Sequence, residues 1–169
     1  MLSDDPAKGL GQAKLHSLMS YQLEQIIGEP SHQVTLISPY FVPTKAGTQD
    51  FIDLVNRGVK IRILTNSLDA TDVVAVHAGY AKHRRHLLAG GVELFEMRLS
   101  HKTNGKPKKN GPFGSSATSL HAKTFAVDSQ HVFVGSFNFD PRSSHLNTEL
   151  GFVIDSPKLA KTIEQSFEQ

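Results

Sequence analysis

The chain has 169 residues, of which 38% are hydrophobic and 20% charged, a composition typical of a globular domain rather than a fibrous or disordered chain. It contains no cysteine, which excludes a disulfide scaffold, a thiol nucleophile and a cysteine zinc site. The formal net charge is +2, but residues 82–109 hold eight Lys and Arg against two Glu, a local +6 that leaves −4 for the remainder. Such a segment fits an anionic ligand, such as phosphate, nucleic acid or a lipid headgroup, or else a solvated basic loop.

No apolar run approaches the roughly 18 residues that a membrane-spanning helix needs. The acidic N-terminus, residues 1–6, does not have the pattern of a signal peptide. We therefore expect a soluble chain that lies at most on a membrane surface.

The first half of the chain predicts alternating helices and strands. Asp5 and Pro6 begin a helix, which apolar residues as far as Ile27 continue and which Gly28 and Pro30 end. The same reasoning predicts strands at 34–38, 59–64 and 92–97, with helices at 48–57 and 71–89 between them. Strands that alternate with helices imply parallel pairing and right-handed crossovers. Residues 39–41 follow the first strand, where α/β sheets often place ligand loops, so they either line a pocket or pack.

The second half predicts a different arrangement. Residues 99–117 are rich in Lys, Gly, Pro and Ser and predict a long, flexible basic loop. Strands are predicted at 120–127, 132–135 and 149–154, with a hairpin turn at 128–131 and a final helix that begins at Ser156 and Pro157. The predicted fold class is therefore α/β, a single domain of residues 1–169 with a mixed β-sheet flanked by helices on both faces.

Six residues at fixed spacing carry most of the chemistry that the sequence predicts: His121, Lys123, Asp128, Gly135, Ser136 and Asn138. Residues two apart on a strand share a face, so we expect His121 and Lys123 to point the same way. This pair suits a phosphate, because Lys supplies charge and donors while His supplies a nucleophile or a proton. Ser136 and Asn138 offer neutral donors for phosphate oxygens, and Gly135 allows the backbone to approach closely.

The spacing His-x-Lys-x4-Asp-x6-Gly-Ser-x-Asn is the HKD signature of the phospholipase D superfamily, which the chain resembles. The resemblance implies a phospholipase D-like fold with one HKD repeat and a covalent mechanism that needs no metal and no other cofactor. In the family two motifs meet at a pseudo-two-fold axis: one His attacks phosphorus, and the other protonates the leaving alcohol. This implies that His121 is the nucleophile or the general acid/base, that Lys123 stabilises phosphate charge, and that Ser136 and Asn138 line the phosphate pocket.

Two carboxylates remain to be assigned, Asp128 within the motif and Glu149 after it. The resemblance implies that Asp128 is structural, near the hairpin, and is not a proton carrier. Glu149 matches an Asn-x-Glu step in the family, whose carboxylate orients the imidazole as in a serine-protease triad. A salt bridge or a strand-edge charge is the other interpretation of Glu149.

Longer stretches resemble bacterial cardiolipin synthases of the C-type, at residues 37–43, 57–59, 63–67, 71–73, 76–80, 87–94 and 135–143. This resemblance implies a phosphatidyltransferase that acts on an anionic, phosphatidylglycerol-like phospholipid through a phosphohistidine. It also implies a peripheral location on the cytoplasmic face of a bacterial inner membrane.

Such synthases carry two HKD motifs, whereas this chain has one and resembles the second half alone. Three interpretations follow: an excised half that needs a second HKD domain, a homodimer that brings two copies of His121 together as in small single-motif nucleases, or a non-catalytic remnant that binds phosphate or lipid. Nucleic acid is the less favoured partner, because the aromatic residues do not interleave with the basic ones as a base-stacking platform would require.

Overall fold

The computed structural model describes residues 1–98 and 120–168, so the loop predicted at 99–117 lies outside the described residues. The β-strands in chain order are β1 (Leu2–Ser3), β2 (Gln33–Ile37), β3 (Lys60–Asn66), β4 (Glu93–Met97), β5 (Thr124–Val127), β6 (His131–Gly135) and β7 (Leu150–Asp155). The α-helices are α1 (Met19–Ile27), α2 (Lys45–Asn56), α3 (Val74–Ala89), α4 (Pro141–His145) and α5 (Pro157–Gln165), and short 3₁₀ helices span Pro6–Leu10, Leu15–Ser17 and Ser166–Glu168. Within the described ranges no helix combines the length and the apolar character needed to cross a membrane.

The strands of the described residues form one mixed sheet in the order β1-β7-β6-β5-β2-β3-β4. β2, β3 and β4 are parallel neighbours, connected by α2 and α3 as the alternation of strands and helices predicts. β5 pairs antiparallel with β2, and β6 and β7 extend the antiparallel part. The predicted mixed α/β fold class is therefore confirmed.

Alternating side chains of the strands build a core on each face of the sheet. Phe125 and Val127 of β5 belong to the larger cluster, which includes Met19 of α1 and aliphatic residues of α2 and α3. Ala126, which lies between them, faces the other side and packs with Ala160 of α5. The prediction of helices on both faces is confirmed.

The single helix predicted from Asp5 to Ile27 is wrong in its extent. Asp5 does cap a helix, since its carboxylate accepts a hydrogen bond from the N–H of Ala7 at 2.8 Å, but that helix is a 3₁₀ helix of five residues. Gly11 ends it in the left-handed conformation, with φ 68°. The regular helix begins only at Met19, and a two-residue strand, β1, which the sequence analysis did not predict, precedes the 3₁₀ helix.

The strand predicted at 120–127 begins only at Thr124, so His121 and Lys123 precede the strand rather than lie on it. The physical reason is the neighbouring strand: β2 ends at Ile37, which pairs with Thr124. Pro39 follows shortly after β2 and has no N–H to donate. Residues before Thr124 therefore have no partner on the β2 side, although the carbonyl of Lys123 still accepts the N–H of Gly135 at 3.1 Å on the β6 side.

One end of the sheet collects the termini of the strands that carry the signature. The parallel strands β2 and β3 end there, and the antiparallel β5 begins there. By the same alternation β6 ends there at Gly135, which pairs with Gly151, the second residue of β7. We call it the motif end of the sheet.

Candidate active site

His121 lies at the motif end, three residues before β5, with an exposed side chain. The residue before it is held by Asn66, the last residue of β3: the N–H of Leu120 donates to Asn66 Oδ1 at 3.0 Å, and Asn66 Nδ2 donates to the carbonyl of Leu120 at 3.4 Å. This side chain takes the place of a strand partner. The imidazole of His121 has no hydrogen-bond partner in residues 1–98 and 120–168, so both of its ring nitrogens are open to a ligand.

Lys123 is partly buried, and its ammonium donates to the main-chain carbonyl of His121 at 3.1 Å. Burial lowers the pKa of Lys123, while the carboxylates of Glu149, Asp72 and Asp140 act in the opposite direction. A bound anion such as phosphate would also favour the ammonium form. The Lys123 ammonium therefore sits where it can neutralise an anion that contacts His121.

Asn138 is a buried residue of the signature, with 7% of its surface exposed. Its Oδ1 lies 3.4 Å from the hydroxyl of Ser38, which also donates to the carbonyl of Tyr40 at 2.9 Å. The main chain beside it is fixed by a bridge between Phe41 and Phe139. No partner for Asn138 Nδ2 occurs in the described parts of the chain, so this nitrogen can donate to a phosphate oxygen.

Glu149 is buried and accepts hydrogen bonds from two serines. The hydroxyl of Ser143 donates to Oε1 at 2.8 Å, and the hydroxyl of Ser136 donates to Oε2. The Ser136 oxygen in turn accepts the N–H of Leu150 at 3.0 Å. The predicted contact between Glu149 and the imidazole of His121 is not among the hydrogen bonds of the described residues, and the predicted phosphate donor Ser136 directs its proton to Glu149 instead.

Gly135 is required by the close approach of β6 and β7. A Cβ at this position would lie 2.5 Å from the carbonyl oxygen of Leu150 and 2.7 Å from the Cα of Gly151. The signature predicts close approach of a phosphate at Gly135, whereas the structure shows a neighbouring strand at that distance.

Asp128 lies in the turn between β5 and β6, at the opposite end of β5 from His121. Its carboxylate accepts hydrogen bonds from the main-chain N–H groups of Ser31, His32 and Gln33 at 2.7–2.9 Å, and its φ is 52°. Burial raises the pKa of Asp128, but these hydrogen bonds outweigh it and hold the pKa below its usual value. The carboxylate thus links the hairpin to the start of β2.

Tyr40 and Asp72 were not among the predicted site residues, although the strand-end position of Tyr40 is a signal for a ligand loop. The Tyr40 hydroxyl donates to the Asp72 carboxylate, with oxygens at 2.9 and 3.0 Å. Burial and this hydrogen bond raise the pKa of Tyr40 to about 12. Because Asp72 and Asp140 also act on the charge of Lys123, these residues border the site.

A mixed α/β sheet with His121, Lys123 and Asn138 at one end, and the Asp128 of the same signature in the hairpin at the other, defines a phospholipase D-like domain. The model of the family described as "Cardiolipin synthase, PLD-like domain" matches residues 23–169, and the chain belongs to this family.

Curated relatives are longer than this chain. It is 54% identical to cardiolipin synthase C of Escherichia coli (strain K12) over 169 residues, which are 100% of this chain and 36% of that protein. It is 28% identical to a cardiolipin synthase of Staphylococcus aureus (strain Mu50) over 149 residues, which are 88% of this chain and 26% of that protein. The chain therefore spans about a third or less of the length of these relatives.

Solved structures share the fold at low sequence identity. A phospholipase D family member, Nuc from Salmonella typhimurium, superposes with a TM-score of 0.62 at 19% identity, covering 89% of this chain and 84% of that one. The phosphatidylserine synthase of Haemophilus influenzae gives a TM-score of 0.62 at 16% identity, covering 89% of this chain and 35% of that one. Both confirm the phospholipase D-like fold.

Proposed function

We propose that this chain supplies one half of a phosphodiester-transfer site that moves a phosphatidyl group between phospholipids. The observation that carries the proposal is that His121, whose exposed imidazole has no partner among the described residues, accepts the Lys123 ammonium at its main-chain carbonyl at the motif end. Membership in the cardiolipin synthase family and 54% identity to cardiolipin synthase C support the substrate class. We further propose that residues 1–169 form one domain.

In the proposed reaction a ring nitrogen of His121 attacks the phosphorus of a phospholipid and forms an N–P bond. The P–O bond to the headgroup alcohol breaks, and a second HKD histidine protonates the leaving oxygen. The hydroxyl of an acceptor phospholipid then attacks phosphorus, the N–P bond breaks, and the second histidine receives the hydroxyl proton. The second histidine comes from another HKD domain, either in the same polypeptide or in a second copy of this chain.

The other residues act on charge and position in this proposal. Lys123 and the amide nitrogen of Asn138 donate to the phosphate oxygens, whose negative charge grows in the transition state. Glu149 is a positioning residue that holds Ser136 and Ser143, and through Ser136 it fixes the turn that leads to Asn138.

The membrane surface is the proposed place of action, on the cytoplasmic face of a bacterial inner membrane. Helix α3 presents Lys82, Arg84 and Arg85 as exposed side chains. A basic helix surface attracts anionic headgroups, which raises the local concentration of a phosphatidylglycerol-like substrate.

Tungstate binding tests the phosphate site without requiring the second half. Tungstate is a tetrahedral oxyanion similar in shape to a phosphate group, and we expect it to shift the NMR signals of the His121 ring and the Asn138 side-chain amide. His121→Asn should weaken the binding, whereas His32→Asn, an exposed histidine at the opposite end of the sheet, should not. If the His121 and Asn138 signals do not shift when tungstate is added, the proposed site is contradicted.

Covalent labelling separates the substrate classes. Vesicles that contain ³²P-phosphatidylglycerol should leave an acid-labile label on the wild-type chain and none on His121→Asn, with a yield that follows the dimer fraction measured by sedimentation. Cutting of DNA without any lipid-derived label would favour a nuclease instead.

A further inference from the structure

The first residues of the chain cross the sheet edge as a strap, which we define as residues 2–10. They precede the residues that the family model matches, which begin at 23. β1 pairs antiparallel with β7, placing Leu2 opposite Gly151 and Ser3 opposite Leu150. The 3₁₀ helix Pro6–Leu10 follows. The strap therefore lies directly beside the strand that starts after Glu149.

Asp4 holds Glu149 by both of its main-chain groups. The N–H of Glu149 donates to Asp4 Oδ2 at 3.0 Å, and the N–H of Asp4 donates to the carbonyl of Glu149 at 2.9 Å. The Asp4 side chain is fully buried, and its other oxygen accepts the N–H of Met19 at 2.7 Å. This carboxylate thus ties the strap and the start of α1 to the residue that enters β7.

Lys8 holds one of the two serines that contact the Glu149 carboxylate. Its side chain is 3% exposed, and its ammonium donates to Asp4 Oδ2 at 2.7 Å and to the carbonyl of Ser143 at 2.7 Å. Ser143 is itself fully buried, and its hydroxyl donates to Glu149. The strap therefore grips both the backbone of Glu149 and a hydrogen-bond donor to its side chain.

A buried ion pair contributes little net stability, because desolvation of the two charges offsets much of their attraction. Its hydrogen bonds nevertheless have strict geometry, and here each of the two charged groups reaches main-chain atoms at the site. Asp4 contacts Glu149 directly, and Lys8 reaches it through Ser143. The contacts then continue from Glu149 to the Ser136 hydroxyl and to the turn that carries Asn138.

We propose that Asp4 and Lys8 are positioning residues of the phosphate site, which act through Glu149 and Ser136. The proposal rests on the proposed function only in that an anion binds beside His121. It differs from a purely structural role, in which the strap would stabilise the fold and leave anion affinity unchanged.

The test measures tungstate affinity on folded protein, from the NMR shift of the His121 ring, well below each variant's melting temperature. The variant Asp4→Leu/Lys8→Met removes both buried charges together and so leaves neither ion alone in the interior. We expect its tungstate Kd to rise about tenfold, in the range by which outer-shell partners affect metal sites. Arg57→Ala, which removes the exposed ion pair with Glu29, is the matched control and should leave the Kd unchanged.

A double-mutant cycle with Ser143→Ala tests the route of the effect. If the strap acts through Glu149, the loss of tungstate affinity in Ser143→Ala and the loss in the strap variant should not add when the substitutions are combined. Should Asp4→Leu/Lys8→Met fail to fold, Asp4→Asn/Lys8→Met keeps the shape of Asp4 and one acceptor oxygen while again leaving neither ion alone, and a raised Kd is expected for it as well.

The outcomes are distinct. Unchanged Kd values in folded strap variants, with tungstate bound normally by the wild type, overturn the strap proposal and leave the proposed function intact. Absence of any tungstate effect at His121 in the wild type overturns the phosphate site and the strap's role with it.

Discussion

The side chain of Asn66 pairs with both main-chain groups of Leu120, the residue that precedes His121. Asn66 is 3% exposed and ends β3, so its amide is held rigidly at the motif end. It supplies the hydrogen bonds that a neighbouring strand would otherwise give to the segment before β5. The position of the proposed nucleophile therefore depends on a residue of a parallel strand, Asn66, which is 54 positions from Leu120 in the sequence.

We expect Asn66→Ala to weaken tungstate binding at His121, because Leu120 loses both of these hydrogen bonds. The free energy of unfolding should fall by about 1–3 kcal/mol, as for other buried hydrogen bonds that lose one partner. Urea unfolding and the NMR shift of the His121 ring measure the two effects. Asn56→Ala, at an exposed position near the end of α2, should change neither, and wild-type tungstate affinity in Asn66→Ala would contradict the expectation.

Anion binding should weaken at alkaline pH earlier than an ordinary lysine would allow. Burial lowers the pKa of Lys123, so its ammonium loses the proton at a lower pH than an exposed lysine does. Tungstate remains a dianion as the pH rises, and its Kd should therefore increase as the pH passes the pKa of Lys123. The measurement is the pH dependence of the Kd above pH 7.

Lys123→Arg is the informative variant for this pH profile. A guanidinium keeps its charge to a higher pH than an ammonium, so any binding that the variant retains should extend further into the alkaline range. Identical alkaline limits for the wild type and Lys123→Arg would rule out Lys123 as the group that sets the limit.

The sequence predicts the parallel half of the sheet well, because β2, β3 and β4 are apolar runs separated by the helices α2 and α3. The spacing of the signature residues also leads to the correct family, because this spacing is visible in the sequence without knowing which side chains contact each other in the fold. The start of β5 is mispredicted because the apolar pattern before Thr124 does not reveal that the partner strand ends at Ile37.

The hydrogen-bond partners of Glu149 could not be predicted from the sequence for a similar reason. A carboxylate next to a strand is compatible with an imidazole, a cation or a hydroxyl, and the choice depends on which side chains other segments bring to it. Here Ser143 arrives on the short helix α4, and Asp4 arrives from the opposite end of the chain. The two-residue strand β1 is also too short to produce a periodic pattern.

Asp128→Asn should destabilise the protein at neutral pH and make its free energy of unfolding depend less on pH in the acid range. The pKa of Asp128 is lowered in the folded state, so its ionised form contributes stability above its unfolded pKa, and this is lost as the pH falls through the folded pKa. Weaker acceptance of the three main-chain N–H groups should cost about 1–3 kcal/mol. Asparagine tolerates the positive φ of this position, which isolates the effect of charge.

Urea unfolding of both proteins between pH 7 and pH 2 measures this difference. The two stabilities should converge at low pH, where Asp128 of the wild type is protonated. A difference that stays constant over the whole range would show that the charge of Asp128 contributes nothing.

Two glycine substitutions should act in opposite directions. In Gly135→Ala the new methyl group meets the main chain of Leu150 and Gly151, which no side-chain rotation relieves, so β6 and β7 must separate. We expect a loss of about 1–3 kcal/mol in the free energy of unfolding, typical of overpacking, and weaker tungstate binding because Ser136 shifts from Glu149. In Gly47→Ala, inside α2, the methyl group meets only Thr44 Oγ1 at 3.7 Å, and the helix should gain about 0.5–1 kcal/mol. Urea unfolding measures the free energy of unfolding of both variants. Equal stabilities of Gly135→Ala and the wild type would mean that β6 and β7 do not approach as closely as the structure shows.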